Sequence, residues 1–506
     1  MKLRDLLRDV PVRASRGDPD VEIASVTADS RLASTGAVFV AIPGFKTDGA
    51  KFIDAAVSKG AAAIVSETGV GPPPSAATFI EVDDARAALA LIAANFYGRP
   101  AGRLTLAGVT GTSGKTTTTK MLESIFDAAG EPVGLIGTIE YRAGDERLMA
   151  DRTTPDAVVL QQWFAKMVDA GVCHAVMEVS SHALALKRTH GIRFAAAVFT
   201  NLSQDHFDFH KDFEDYFAAK RILFGQIDRS RKSAIVNIDD EYGRRLANEL
   251  GDCVVTFGRD ANADIRSLDG FEITVRGLHG RVLTPAGEVK VESPLLGAPN
   301  LYNWLGAIGA ALAVGIDIPT IEAGIRNLGT VRGRFEYIEN AESDGGPTVI
   351  VDYAHKPDAL EKLLHTVRDL AAGRRVVLLF GCGGDRDKDK RAKMGAIAAR
   401  LADRIVLTSD NPRGETPEGI LDDIEGGMRG ADNYARITDR REAIARTISE
   451  ASGDDVIVIA GKGHESYQVV DDQVIHFDDR EEAERALKSK QGKTRHENRA
   501  PKSASN

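Results

Sequence analysis

Apolar residues in this 506-residue chain gather in short continuous runs, separated by stretches where they recur every three or four positions. Runs such as Leu104–Val109, His174–Val179, Ala195–Asn201, Val376–Phe380, Ile405–Ser409 and Val456–Ala460 read as strands buried on both faces of a parallel sheet. The segments between them read as helices: Phe52–Lys59, Arg86–Tyr97, one opening at Lys115, one ending near Ala170, Phe213–Phe224 and Leu305–Val314. Alternating strands and helices predict an α/β protein. Ala37–Ile42, Ala62–Val65 and Thr78–Val82 belong to a small first α/β unit, closed by Gly98–Gly102 as a linker, and the Pro run at 72–74 reads as a surface loop. A β-rich stretch is expected over 262–292. The length suggests about three domains, and the breaks place them at 1–100, 101–332 and 333–488. The polar stretch 489–506 reads as a disordered basic tail.

Composition narrows the class. Apolar residues make up 43% and charged residues 27%, ordinary for a globular chain with sizeable cores. A net charge of −10 argues against nucleic acid as the main partner, because phosphate binding needs a basic face. Cys173, Cys253 and Cys382 are far apart and odd in number, which fits a reducing cytoplasm and gives neither a disulfide framework nor metal-ligand spacing. The first residues, MKLRDLLRDVPV, lack the apolar core of a signal peptide, and no run approaches the ~18 apolar residues of a membrane span. A soluble protein is expected.

The stretch Leu104–Gly130 carries the strongest chemical signal. A strand empties into Thr110-Gly111-Thr112-Ser113-Gly114, and Lys115-Thr116 open a helix. That is the order of a P-loop, in which backbone N–H groups and a helix N-terminus cradle phosphates. Lys115 would reach the outer phosphates of ATP or GTP, and Thr116 would ligate Mg²⁺. The loop is a variant: the strict pattern wants Gly at position 109, held here by Val109, and the glycines fall at Gly108, Gly111 and Gly114. Glu178 ends a buried strand, where ligands collect in open α/β sheets and a carboxylate suits Mg²⁺ shared with phosphates. By itself such a residue is more often a cap or solvated. Asp205-His206-Phe207-Asp208-Phe209-His210 is dense in His and Asp for a chain with 11 His, and a metal or phosphate role and a capped loop are both open. Pattern alone gives Lys220, between Tyr216 and Phe224, no role. Asp29, Ser30 and Arg31 could hold a polar ligand or form a solvated turn.

Strands in the last domain end in charged or Gly-rich loops: Val376–Phe380 in Gly381–Asp387, Ile405–Ser409 in Asp410-Asn411-Pro412-Arg413, and Val456–Ala460 in Gly461–Glu465. A further strand delivers Asp352 and His355 to a turn before Pro357. Loops at equivalent ends of parallel strands line one edge of a sheet, a ligand-binding arrangement.

Taken in order, TGTSGKT (110–116), MEVSSH (177–182), TNLSQDHFDFH (200–210), the pair Asn300 and Asn303, RGRFE (332–336) and DYAHKPDAL (352–360) resemble the motifs of the Mur ligase family over essentially all of 20–488. Asp410-Asn411-Pro412-Arg413 resembles the tetrapeptide of members that add meso-diaminopimelate. The resemblance implies a small N-terminal domain for the UDP end of the substrate, a central ATPase domain and a Rossmann-like C-terminal domain that brings the amino acid. It implies an ATP-dependent amide ligase joining meso-2,6-diaminopimelate to the D-glutamate γ-carboxylate of UDP-N-acetylmuramoyl-L-alanyl-D-glutamate through an acyl phosphate. That is a cytoplasmic step of peptidoglycan precursor synthesis, using ATP and Mg²⁺; a monomer is expected, although the sequence itself does not give the oligomeric state.

The same resemblance assigns residues. ATP would lie on Thr110, Gly111, Thr112, Ser113, Gly114, Lys115 and Thr116, with Asn300, Arg334, Asp352 and His355 around the adenosine or its phosphates. Thr116 and Glu178 would hold Mg²⁺. His206 and Lys220 would serve a second ion, Lys220 matching the lysine that becomes N-carboxylated to a carbamate. Lys115, Lys220 and His206 form the implied catalytic group. Ser30, Thr153, Thr154, Ser180 and Arg188 match positions that bind the UDP-substrate, and Leu186 departs from the Gln that relatives often carry. Arg386, Asp410, Asn411, Pro412, Arg413, Gly461 and Glu465 match the diaminopimelate pocket, where Arg386 and Arg413 suit carboxylates and Glu465 an ammonium.

Rival readings are a lysine-adding member, a folylpolyglutamate synthase, and a P-loop switch or motor. Lysine lacks the distal carboxylate and would leave Arg413 poorly paired. Ser180-Ser181-His182 and the 410–413 motif argue against folate. A motor would show a Walker-B-like acidic strand and no amino-acid pocket. A hinge near Thr330–Arg334 is expected to let the last domain close over ATP.

Overall fold

The computed structural model describes residues 1–44, 47–70, 77–274, 277–338, 346–470 and 473–497. The chain divides into two compact units. The first comprises Met1–Leu268, Arg281–Lys290 and Tyr302–Asn327; the second comprises Asp269–Gly280, Val291–Leu301 and Leu328–Asn506. The mixed α/β class is as expected, with three large, mostly parallel sheets among the described residues.

The first unit holds two of these sheets. Near the N-terminus a five-stranded sheet runs in the order Val12–Arg16, Thr78–Val82, Ala63–Glu67, Ala37–Val40, Ser25–Thr27, parallel except for its first edge. Helix Ala85–Phe96 starts where the Asp84 carboxylate accepts from Ala87 N, and it packs Leu89 and Ile92 into the core beneath the sheet. The larger sheet runs Val254–Phe257, Ala234–Asn237, Ala196–Phe199, Thr105–Thr110, His174–Glu178, Val133–Ile136, Glu140–Ala143, Glu146–Met149. Its first six strands are parallel and the last two form an antiparallel extension. After His174–Glu178 the chain crosses to the other side of Thr105–Thr110 to form Ala196–Phe199. Such a change of side opens the crevice where ligands sit in open sheets.

The third sheet belongs to the second unit and runs Glu336–Ile338, Thr348–Asp352, Val456–Ala460, Val376–Phe380, Arg404–Leu407, Tyr434–Arg436. All but Glu336–Ile338 are parallel. Val456–Ala460, last of its parallel strands in the chain, lies at the centre and is buried at every position. A fully buried ion pair secures its exit: Arg440 donates to Asp479 from Nε and Nη2 at 2.7 Å each, and from Nη2 to the Ala460 carbonyl at 3.0 Å. The pair also fixes the start of the last helix, Asp479–Glu497.

Several expectations change. The stretch 489–497, expected within a disordered tail, continues that last helix; residues 498–506 lie outside the described residues, as does the Pro run at 72–74. The helix expected at Leu305 begins at Ala298, because Pro299 in its first turn has the preset φ of a helix start. Asn300 and Asn303 are therefore helical residues. The linker 98–102 runs into a 3₁₀ turn, Pro100–Arg103, entered through Arg99 at φ +54°. Helix Phe213–Arg221 hands over to a 3₁₀ turn at Ile222–Gly225. The span 262–292 holds Arg266–Ser267, Glu272–Thr274, Gly277–Thr284 and Gly287–Ser293. Among the described residues no helix is long and apolar enough to cross a membrane, and all three cysteines are free thiols.

Arg440→Met would leave the Asp479 carboxylate buried and unpaired, a loss of about 3–5 kcal/mol. Hydrogen exchange at Val456–Ala460, followed by mass spectrometry, should accelerate in that variant and recover in part when Asp479→Leu is added.

Candidate active site

The phosphate-type loop follows the buried strand Thr105–Thr110 and ends on helix Lys115–Ala128. Two glycines are required by geometry. Gly111 has φ +151° and a Cβ there would lie 1.8 Å from Thr200 Oγ1; Gly114 has φ +86° and a Cβ there would lie 2.4 Å from Asn303 Oδ1. The loop is braced by the strand beside it. Thr200 Oγ1 donates to the Ser113 carbonyl at 2.7 Å, and Asn201 accepts from Ser113 N at 3.0 Å and donates to its carbonyl at 3.1 Å. Lys115 folds back so that Nζ donates to the Gly111 and Thr112 carbonyls at 2.9 Å each.

Glu178, 1% exposed, ends the strand on the other side. Its carboxylate accepts from Thr116 Oγ1 at 3.0 Å, Thr138 N at 2.7 Å and Thr138 Oγ1 at 3.0 Å. The Thr138 hydroxyl also meets Thr153 Oγ1 at 3.0 Å. Thr154 Oγ1 donates to the Glu178 carbonyl at 2.8 Å and accepts from Ser180 N at 3.1 Å, while Arg188 Nη1 donates to the Thr154 carbonyl at 2.7 Å. Thr116, Glu178, Thr153, Thr154, Ser180 and Arg188 are thus joined in one hydrogen-bonded group. Burial lowers the Arg188 pKa and Arg152 lowers it further, which marks a cationic corner suited to an anion. Ser30 stands apart: Lys59 Nζ donates to its carbonyl at 3.0 Å, and among the described residues no hydrogen bond ties Ser30 to that group. Leu186 caps the short helix Ser181–Ala185 that Ser180 opens.

Lys220 is 1% exposed on helix Phe213–Arg221. Its Nζ donates to the Gly111 carbonyl at 2.8 Å and lies 4.4 Å from the centre of the Tyr216 ring. Burial pushes its pKa well below the ordinary lysine value, and the charge of Lys115 adds to the shift. Tyr216 in turn shares a hydrogen bond of 3.2 Å with Thr112. His206 takes the left-handed φ of +58° with Nε2 3.3 Å from Asp205, and its ring lies edge-on to His182 at 4.7 Å. His210 is buried between Ser181 (Nε2 to Oγ, 2.9 Å) and Asp215 (3.2 Å). Hard oxygen donors at Thr116 and Glu178 fit Mg²⁺. Among the described residues no group of three or more His, Cys, Asp or Glu is gathered to hold a metal, so phosphate oxygens and water would complete such a shell.

In the second unit four loops leave the carboxyl ends of parallel strands. Asp352 accepts from Phe335 N at 2.7 Å and Ala354 N at 2.8 Å; burial raises its pKa, with Arg334 opposing. The Tyr353 ring carries Arg334 at 4.8 Å, His355 at 4.5 Å and His464 at 4.9 Å. His355 Nδ1 meets the Tyr353 carbonyl at 2.9 Å, and burial pushes its pKa down to about 4. Asn300 donates to the Leu296 carbonyl at 2.8 Å.

The diaminopimelate-type residues do come together. Asn411 Nδ2 donates to Glu465 Oε2 at 2.9 Å, and a Cβ on Gly461 would lie 3.0 Å from Asp410 Oδ2. Arg413 Nη1 donates to the Gly384 carbonyl at 2.9 Å, and Pro412 packs its backbone against Gly384. Arg386 is exposed on the neighbouring loop. The hairpin Tyr467–Val470 and Gln473–His476 pins the 410–413 turn: Gln468 donates to the Asp410 carbonyl at 2.6 Å and Arg413 N to the Val469 carbonyl at 3.1 Å. Sequence reasoning missed Thr138, Lys462 and this hairpin. A lone Thr after Gly137 carried no signal, whereas Lys462 sat inside a motif already noted.

The chain matches the Mur ligase family catalytic domain over residues 22–97, the Mur ligase middle domain over 109–311 and the Mur ligase glutamate ligase domain over 333–463. It is 46% identical to a UDP-N-acetylmuramoyl-L-alanyl-D-glutamate–2,6-diaminopimelate ligase of Gloeobacter violaceus, over 97% of this chain and 99% of that protein. With the ligase so described from Bacillus cereus the identity is 45%, over 96% and 98%. A solved structure of a ligase with the same description is similar at a TM-score of 0.69 and 31% identity, covering 97% of this chain and 99% of that one.

The buried histidines predict acid sensitivity. His464 is held neutral, burial and the Arg334 charge pushing its pKa to about 3. An unfolded chain protonates it near pH 6.5, so stability falls as pH drops from about 6.5 toward 3. At pH 5 the loss from this residue is about 2 kcal/mol. Denaturant midpoints at pH 7.5 and 5.0 should therefore differ less in His464→Asn than in the unmodified chain.

Proposed function

The chain belongs to the Mur ligase family, and on that premise we propose that it joins meso-2,6-diaminopimelate to the D-glutamate γ-carboxylate of UDP-N-acetylmuramoyl-L-alanyl-D-glutamate with cleavage of ATP. The observation that carries this reading is the pocket at Asp410–Arg413 and Gly461–Glu465. It sets guanidinium groups (Arg413, with Arg386 beside it) and carboxylates (Asp410, Glu465) on adjoining loops, the charge pattern of a molecule with both a carboxylate and an ammonium at its distal end. Lysine would leave Arg413 without its anion.

In this reading the acceptor carboxylate attacks the γ-phosphorus of ATP, the bond to the β-phosphate oxygen breaks, and an acyl phosphate and ADP form. The neutral amine of the amino acid then attacks the acyl carbon. As the C–N bond forms, the nitrogen loses its proton and the C–O bond to phosphate breaks. No covalent enzyme intermediate is needed, so the protein's work is positioning and charge neutralisation. Lys115 would leave the loop carbonyls for the outer phosphates. Thr153, Thr154, Ser180, Arg188 and Ser30 would hold the acceptor. Asn300, Arg334, Asp352 and His355 would contact the nucleotide. Thr116 and Glu178 would hold Mg²⁺, with His206 and the Lys220 carbamate for a second ion; bound Mg²⁺ supplies charge neutralisation on the phosphate oxygens. The depressed pKa of Lys220 supports the carbamate, since the neutral amine is the form that adds CO₂. Domains at 1–100, 101–332 and 333–488, a cytoplasmic location where UDP-linked precursors meet ATP, and action as a monomer complete the proposal.

Phosphate release from ATP, Mg²⁺ and the UDP-acceptor should require meso-diaminopimelate and not proceed with L-lysine. Preference for lysine would overturn the pocket assignment, and release indifferent to either amino acid would overturn the ligase reading. Arg413→Ala should lower kcat/KM for diaminopimelate about 10- to 150-fold, the range for losing a charged hydrogen bond, with the KM for ATP unchanged. Growth in ¹³C-bicarbonate buffer should give a carbamate resonance that disappears in Lys220→Met.

A further inference from the structure

Lys462 is a fully buried ammonium to which the reading of the amino-acid pocket gives no task. It follows Gly461 in the loop after Val456–Ala460. Its Nζ lies 3.2 Å from Asn411 Oδ1, 3.5 Å from Glu465 Oε2 and 3.7 Å from Asp410 Oδ1. The Tyr467 ring centre is 5.5 Å away. Asn411 is itself fixed, its Oδ1 accepting from Val469 N at 2.9 Å while its Nδ2 donates to Glu465. A lone buried ammonium is costly, and here two carboxylates and an amide oxygen surround one.

The count of charges explains the arrangement. Asp410 and Glu465 bring two negative charges and Lys462 one positive, so these three side chains by themselves are one positive charge short of neutral. An amino acid arriving with a distal ammonium supplies that charge. Without Lys462 the two carboxylates would face each other before substrate arrives. Burial already raises the Glu465 pKa and Asp410 raises it further, with Lys462 the largest opposing influence. The other charged or titratable groups facing this set are Arg440, itself paired with Asp479, the phenols of Tyr353 and Tyr467, Lys390, His355 and the Cys382 thiol on the side of Asp410, and Arg413 and Arg386 beyond Tyr467.

The geometry points to Lys462 as a positioning residue: a resident counter-ion that holds Asp410, Asn411 and Glu465 ready to receive the substrate's ammonium. This rests on the assignment of the pocket to the amino acid. The test is the pH dependence of kcat/KM for meso-diaminopimelate at saturating ATP, Mg²⁺ and UDP-acceptor, in the unmodified enzyme and in Lys462→Met. Loss of the counter-ion raises the Glu465 pKa, so the ionised form that binds an ammonium disappears first on the acid side. The acid limb should therefore move up by about one pH unit. The KM for diaminopimelate should rise about tenfold or more, and the KM values for ATP and acceptor should stay within about threefold. In a Glu465→Gln background the same change should add less than about twofold. That double variant removes an ammonium together with a carboxylate, so it serves if Lys462→Met alone does not fold. An unmoved acid limb, or a full-sized effect in the Glu465→Gln background, would overturn the inference. An unmodified enzyme whose ATP turnover ignores diaminopimelate would overturn the pocket assignment and this inference with it.

Discussion

The carboxylate of Glu178 is the constraint on which the central site depends. A charge buried to 1% exposure persists only if donors surround it, and three come from two segments: the phosphate-type helix gives Thr116, and the turn after Val133–Ile136 gives the N–H and hydroxyl of Thr138. Because Thr138 also touches Thr153, and the Glu178 carbonyl takes the Thr154 hydroxyl, one acid ties the nucleotide-type loop to the residues proposed to hold the acceptor. In the proposed mechanism the two halves of the reaction are thereby brought into register by the desolvation cost of a single side chain.

A second tension lies at Gly111. Lys115 and Lys220 both donate to its carbonyl, and each disfavours the charge of the other. Anions relieve this in two ways within the proposed mechanism, as phosphate oxygens beside Lys115 and as conversion of Lys220 to a carbamate. The site is thus arranged around charge still to arrive, which is how preorganised electrostatic catalysis differs from a site satisfied at rest.

Much of the frame was legible because parallel strands buried on both faces leave unbroken apolar runs. Thr78–Val82, Val376–Phe380 and Val456–Ala460 have the limits read from the sequence. The extension Glu140–Ala143 and Glu146–Met149 left no such trace, its outer strand being exposed throughout. Residues 489–497 read as part of a tail because they lack apolar periodicity. Their helix instead propagates from first turns held by the Arg440–Asp479 pair, a tertiary contact no local pattern reports. The same division holds in the site. Glu178 and Asp410–Arg413 were visible because each follows an apolar strand. The burial of Lys220 and Lys462 was not, since it depends on what distant segments pack over them: the loop at Gly111 in one case and the hairpin strand Tyr467–Val470 in the other.

Arg413 has one further property. Its φ of +53° lies in the left-handed region, which costs a residue with a side chain about 1–2 kcal/mol, and the hydrogen bond from its N–H to Val469 keeps the turn in that shape. In the proposed function position 413 is therefore filtered twice, once by the charge of the ligand and once by backbone geometry. Glycine, asparagine or aspartate could inherit the turn, whereas valine, isoleucine or threonine would strain it whatever their fit to a new amino acid. The repertoire from which a different specificity could be assembled here is shorter than side-chain chemistry alone would allow.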